Sequence, residues 1–200
     1  LDYKSVKKGV VKRTHKRKLS IFIDGVSLDR ASKRINKKIS YKKLVSSLSL
    51  GINPTIARYY TILPNQDDSR HRAFLDAIVD AGLDVIFKRL PPIGVDKHIT
   101  TNEEISSDIT AFACGSYDLG KINSYTSDEE KETEQENHEN IKHVIILVCP
   151  NRDLSYTIRL CNHLGAETVV ADFGGSSSNE LIKSATKWVD LSDSETIWRD

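Results

Sequence analysis

Leu19-Ser20-Ile21-Phe22-Ile23-Asp24-Gly25 decides the fold. A short apolar run ends abruptly in an acid and a glycine, the mark of a buried strand meeting a turn at its carboxyl end. Its counterpart is Val144-Ile145-Ile146-Leu147-Val148, the most apolar stretch of the chain. Apolar residues in a row, without alternation, predict a strand covered on both faces, as in a parallel sheet. Around these two, strand and helix patterns alternate. Further strands are predicted at 55–63, 84–90, 168–171 and 188–191. Helices are predicted over 26–50, in two pieces meeting near Ile39-Ser40, and over 67–81, 105–117, 152–164 and 177–187. Ser40 reads as the N-cap of the second piece, and Ser177-x-x-Glu180 as a capping box. The alternation predicts an α/β fold, a parallel sheet sandwiched by helices in a Rossmann-like three-layer arrangement.

The charge is unevenly spread. The 200 residues carry 29 Lys and Arg against 28 Asp and Glu, a net of +1. Residues 1–43 hold 15 of those cations and 3 acids, leaving a net +12 there and −11 in the remainder. A basic segment on an acidic body predicts an electrostatic partner such as RNA, DNA or an anionic surface. Residues 1–18, with eight Lys and Arg, read as an arm. Lys16, Arg17 and Lys18 are its candidate phosphate contacts, and a solvated tail is the plain alternative. The domain proper is expected over 19–191. A polar segment at about 120–140 has seven acids and one Lys within 126–140; it is expected to be a disordered insertion. Residues 192–200 read as a polar tail. Three cysteines (Cys114, Cys149, Cys161) make neither a disulfide framework nor a zinc pattern, so a reducing compartment is expected, cytoplasmic or, given the basic arm, nuclear. No apolar run is long enough for a spanning helix, and no secretory signal is expected.

In open α/β sheets, ligands sit at the carboxyl ends of strands, near the point where strand order reverses. That directs attention to Asp24, the 149–153 turn and 172–177. An Asp at a strand end can hold a hard divalent cation, or simply cap the next helix. The phosphate-loop, dinucleotide-binding and serine-elbow motifs are absent from the sequence. Gly174-Gly175-Ser176-Ser177-Ser178 reads either as a phosphate cradle or as a flexible turn with a cap. His71, His98, His138, His143 and His163 show no metal spacing. Cys149 reads as a small buried hydrophobe and Trp188 as core, while Trp198 is either disordered or a docking residue.

Ile21-Phe22-Ile23-Asp24-Gly25-Val26-Ser27-Leu28 resembles the opening of the NYN domain, a PIN-like nuclease family, with its apolar strand followed by Asp-Gly-x-Asn-Leu. The resemblance continues in order. Arg58-Tyr59-Tyr60 is similar to the aromatic second strand, and Arg72–Ala77 with Ala81–Val85 to a helix and strand that follow. Asp108 falls where the family has the Asp of Lys-Gly-Val-Asp. Val148-Cys149-Pro150-Asn151-Arg152-Asp153-Leu154 falls where it has Val-Ser-Gly-Asp-x-Asp-Phe. Leu164–Ala171, Phe173-Gly174 and the segment to Leu191 are similar to its C-terminal part. The match spans roughly 19–191, apart from the acidic insertion.

The resemblance implies an RNA-directed, Mg²⁺- or Mn²⁺-dependent endoribonuclease, in which clustered carboxylates hold metal that activates water against a phosphodiester. Carried over residue by residue, Asp24, Asp108 and Asp153 are the catalytic acids. Asp24, Asp108 and Asn151 are the metal ligands, and Ser27 and Arg152 contact substrate. The departures are specific. Ser27 replaces an Asn, Asn151 replaces an Asp, and Ser106-Ser107 replace Lys-Gly. Fewer carboxylates weaken divalent binding. Three readings therefore stand: a nuclease, an inactive domain that binds RNA or assembles with a protein partner or its own copies, and a receiver-like or small-molecule-binding α/β domain, which an apolar pocket at the same pole would support.

Overall fold

The computed structural model describes residues 16–66, 69–92, 94, 98–117, 141–174 and 178–199. Six strands make one sheet: β1 (Lys16–Asp24), β2 (Ile56–Leu63), β3 (Asp84–Arg89), β4 (Ile141–Val148), β5 (Glu167–Asp172) and β6 (Lys187–Asp190). Their order is β3-β2-β1-β4-β5-β6, and every neighbouring pair is parallel.

Alternate residues of β1 feed two separate cores. Ile21 and Ile23 join Leu28, Leu44, Tyr59 and Ile78 under α1 (Gly25–Arg34), α2 (Tyr41–Ser49) and α3 (Ser69–Val79). Phe22 joins Tyr60, Ile109, Phe112, Ile145 and Ile158 under α4 (Asn102–Ala113), α5 (Ser155–His163) and α6 (Asn179–Ser184). A strand covered on both sides has no polar face to display, which explains the unbroken apolar runs in β1 and β4. The protein is thus a three-layer α/β fold. The chain leaves β1 to build outward through β2 and β3, then returns to place β4 on the other flank of β1. The carboxyl ends of β1 and β4 therefore frame the topological switch point, where such sheets leave a crevice.

The elements depart from the sequence expectations in three places. Lys16, Arg17 and Lys18 are not part of an arm; they open β1 and pair with Ile141, Lys142 and His143. Backbone pairing makes no demand on side-chain polarity, and Lys18 sets its ammonium 3.6 Å from the centroid of the Tyr117 ring. The rest of the expected arm, 1–15, and the acidic segment at 120–140 lie outside the described residues. The C-terminal segment is not a loose tail. Ile197 is fully buried in the first core, Ser40 donates its N–H to the Ile197 carbonyl (2.9 Å) and Arg199 donates to that of Lys38 (2.9 Å). Trp198 stacks on Phe173 at 5.9 Å. Two apolar residues in a polar segment have no periodicity to announce them. Finally, α6 is capped by Ser178, its Oγ accepting from Leu181 N–H (3.2 Å); Ser177, the expected cap, lies outside the described residues. Ser40 caps α2 as expected. Among the described residues, no helix is long and apolar enough to cross a membrane.

Candidate functional site

Asp24 ends β1 and caps α1. Its Oδ1 accepts the Ser27 N–H (3.1 Å) and its Oδ2 the Ser27 hydroxyl (2.8 Å). The turn is seated on Tyr59. A Cβ on Gly25 would lie 2.3 Å from two atoms of the Tyr59 ring, so only glycine fits there. The Tyr59 hydroxyl donates to the Gly25 carbonyl at 3.4 Å. Tyr59 is wedged in turn by Tyr41 and Phe74, at 5.4 and 6.0 Å between ring centroids. Packed aromatic rings hold the carboxylate in place, the support a functional group needs.

Asp24 is only 5% exposed. Burial raises its pKa above 3.8, while the bonds from Ser27 and Val26 and the charge of Arg30 pull the other way. Burial prevails because the bonds to this carboxylate come from neutral groups. A buried carboxylate so placed gains from any cationic or hydrogen-bonding ligand that reaches it.

Two small cavities open beside it. The first, about 110 Å³, is lined by Asp24, Ser27, Arg30, His98, Thr101 and Asn151 among others. The second, about 130 Å³, is lined by Ser27, Arg30, Arg34, Cys149 and Asp172, with Ala31 and Pro150. Ser27 and Arg30 belong to both, so the two form one cleft across the ends of β1, β4 and β5. Ser27, Arg30 and Arg34 stand at i, i+3 and i+7 on α1, one face of that helix. On the β4 side, Cys149 takes a positive φ of 49° and donates its N–H to the Ala171 carbonyl (2.9 Å). Burial raises its thiol pKa, and the negative charges of Asp172 and Asp24 raise it further. Both effects favour the protonated thiol over the nucleophilic thiolate. Asn151 caps a 3-10 turn, Arg152–Leu154, through an Oδ1 that accepts the Asp153 N–H (3.1 Å).

The structure brings together Asp24, Ser27 and Asn151 and leaves the other expected residues elsewhere. Asp108 lies under α4, where its Oδ2 accepts from Arg58 (2.7 Å) and from the Tyr60 hydroxyl (2.5 Å). Arg58 in turn lines a cavity with Pro54, Thr55, Gly82 and Asp84, at the amino ends of β2 and β3. Asp153 and Arg152 are exposed on the 3-10 turn and line neither cavity of the cleft. Lys16, Arg17 and Lys18 stand six to eight residues back along β1 from Asp24, roughly 20 Å or more at about 3.3 Å per residue. They lie at the opposite pole of the sheet, the amino end of β1.

The donor set does not fit the divalent-ion cluster implied by the family resemblance. Of its three ligands, Asp24 and Asn151 share a cavity and Asp108 does not. Among the described residues, no three His, Cys, Asp or Glu side chains are grouped to hold a metal. Among the described residues, the two cavities at this pole are lined mainly by polar side chains, unlike the apolar pocket of a small-molecule domain. An apolar cavity of about 370 Å³ lies instead against Leu19, Leu48, Val144, Ile146 and Val169 on the α2 side of the sheet. What sequence reasoning missed are Asp172, Arg30 and Arg34. Asp172 follows the apolar Val169-Val170-Ala171 within the flagged region, and the 27, 30, 34 spacing was legible once α1 was recognised.

No family model and no curated protein matches the chain. Its fold is similar to the crystal structure of a protein of unknown function from Vibrio parahaemolyticus RIMD 2210633, at a TM-score of 0.65 and 15% identity, over 92% of this chain and 98% of that one. At that identity the likeness shows the fold alone.

Proposed function

We propose that this chain is an RNA-directed domain of the NYN/PIN-like kind that holds single-stranded RNA at the Asp24 cleft without cutting it. The observation that carries the reading is Asp108. The second acid that a nuclease needs has its Oδ2 committed to a guanidinium and a phenol, on the buried face of α4. What lines the cleft instead is a pair of arginines, Arg30 and Arg34. Guanidinium groups present a planar fork suited to phosphate oxygens. Asp24, Asn151 and the Ser27 hydroxyl offer polar atoms beside them for sugar hydroxyls or base edges.

The nuclease reading keeps one specific observation in its favour. Asp172, at the end of β5, adds a buried carboxylate to the cleft that Asp24 faces. The experiment separates the two. Labelled single-stranded RNA is titrated with the full chain across a salt series, and the same RNA is incubated with the chain and Mn²⁺. Salt-dependent binding with no Mn²⁺-dependent cleavage beyond that of Asp24→Asn is expected. Cleavage that Asp24→Asn abolishes would overturn the non-cutting reading and make the chain an endoribonuclease.

A further inference from the structure

The cleft opens onto a basic ridge. Residues 30–43 contain seven Lys and Arg and no acid. Arg30, Lys33 and Arg34 are on α1, Lys37 and Lys38 on the connector, and Lys42 and Lys43 on α2; all seven are exposed. Lys33 pairs with Asp29 on the same helix at 2.7 Å. The ridge is continuous with the cleft, because Arg30 and Arg34 line its cavities.

The C-terminal segment fastens the middle of this ridge. Lys37 holds its ammonium 4.7 Å from the Trp198 ring centroid. Lys43 donates to the Trp198 carbonyl at 3.0 Å, and the Ile39 backbone bridges to Trp198. Seven like charges within fourteen residues repel one another, and a strap across them holds the arrangement against that repulsion.

We infer that this ridge is the track for the sugar-phosphate backbone of single-stranded RNA. The strand runs from the cleft at Asp24, past Arg30 and Arg34, over the Lys37-Lys38 connector to α2. The inference rests on the RNA reading above and adds the path. Two features select a single strand over a membrane. Of the apolar residues of α1, Leu28 and Ala31 are buried in the core and Val26 lines the cleft, so the helix presents no broad apolar face to insert between lipids. The cleft cavities are small and polar-lined, matched to phosphates taken one at a time. The track is also distinct from Lys16–Lys18, which lie at the amino end of β1, the opposite pole of the sheet.

The test is a salt series with a labelled oligouridine. Three proteins are compared: the full chain, Lys37→Glu/Lys38→Glu, and a control of equal charge change off the ridge, Arg70→Glu/Lys183→Glu. Each phosphate contact to a single strand adds about 0.7 to the logarithmic salt slope. The ridge variant is expected to lose at least about tenfold in affinity and to flatten the slope by about 1.4, while the control stays within about twofold of the parent. Lys37→Gln/Lys38→Gln, which adds no acid, is expected to give the same slope change should the Glu variant fold poorly. A parent that binds RNA and a ridge variant that binds equally well would remove the track and leave the RNA reading standing. Equal losses in ridge and control variants would mean net charge, not a path, and would also overturn it. A parent that binds anionic vesicles or duplex DNA but not the oligouridine would overturn both.

Discussion

Asp24 and Asp108 are both buried aspartates beside the same sheet, 5% and 8% exposed, and their surroundings are opposite. Asp108 receives a guanidinium and a phenol from β2, its neighbour across the α4 interface. Its charge is answered inside the fold. Asp24 receives neutral donors, the hydroxyl and N–H of Ser27 and the N–H of Val26, and the cation acting on it, Arg30, is exposed on α1. Its charge is only partly answered. Burying a carboxylate costs free energy unless it is paired. A fold that completes the pairing at one site and not at the other shows which carboxylate supports structure and which is open to a ligand. In sequence the two are alike: each sits in a segment that resembles a nuclease motif.

The largest effect expected from this contrast is at Asp108. Replacing it by Asn leaves the Arg58 guanidinium, 4% exposed, in the core without its counter-charge. Breaking one half of a buried pair typically costs about 3–5 kcal/mol. A denaturant midpoint shift of that order is expected, with RNA affinity of the folded fraction unchanged. A loss below about 1 kcal/mol would mean that Arg58 finds another acceptor and that Asp108 is not committed to structure. Replacing both, by Arg58→Met and Asp108→Leu together, should recover much of the loss, because the buried charge is gone.

Next in size is Gly25→Ala. The added Cβ would fall inside the Tyr59 ring, and overpacking of this kind costs about 1–3 kcal/mol. The ring cannot swing away freely, since Tyr41 and Phe74 flank it. Thermal unfolding reads the cost, and an unchanged midpoint would show that the support under Asp24 is loose. Ser27→Ala removes one hydrogen bond to Asp24 and leaves the backbone one, with an expected loss of about 1 kcal/mol. It should also raise the Asp24 pKa further, visible by NMR titration of that carboxyl. No movement would mean that the Ser27 hydroxyl does not hold the charge.

How far the sequence foretold this is clearest at particular residues. The unbroken apolar runs of β1 and β4 announced a doubly covered parallel sheet, and Asp24 at the end of one run announced the pole. Those are local patterns, and burial by helices on both sides follows from them. Asp108 could not be placed that way. Its fate depends on Arg58, fifty residues away, and no periodicity encodes which neighbour a helical acid will meet. Lys16–Lys18 misled for the reverse reason. Their composition reads as a solvated arm, but their backbone pairs with Ile141, Lys142 and His143 at the start of β4. Ile197 and Trp198 close the first core from a segment with no pattern at all.

The smallest effect expected is also the one that separates the two aspartates by sign. Asn is as good an N-cap as Asp, so Asp24→Asn keeps the cap of α1 and removes only the charge. Burial raises the folded pKa of Asp24 above its ordinary 3.8. The folded state therefore holds the proton more tightly than the unfolded chain does. For such a group, stability is fully present below the unfolded pKa and is lost as pH rises through the folded pKa. At pH 7 the parent carries that penalty and Asp24→Asn does not, so the variant should be as stable as the parent or slightly more so. The gap should close as pH falls below about 4. Urea unfolding of both proteins at pH 7 and in mild acid reads it directly. Asp108→Asn should do the opposite at pH 7 and lose stability. If Asp24→Asn also proves strongly destabilised at pH 7, its carboxylate has a partner in the fold as Asp108 does, and the distinction between a structural and an available acid collapses.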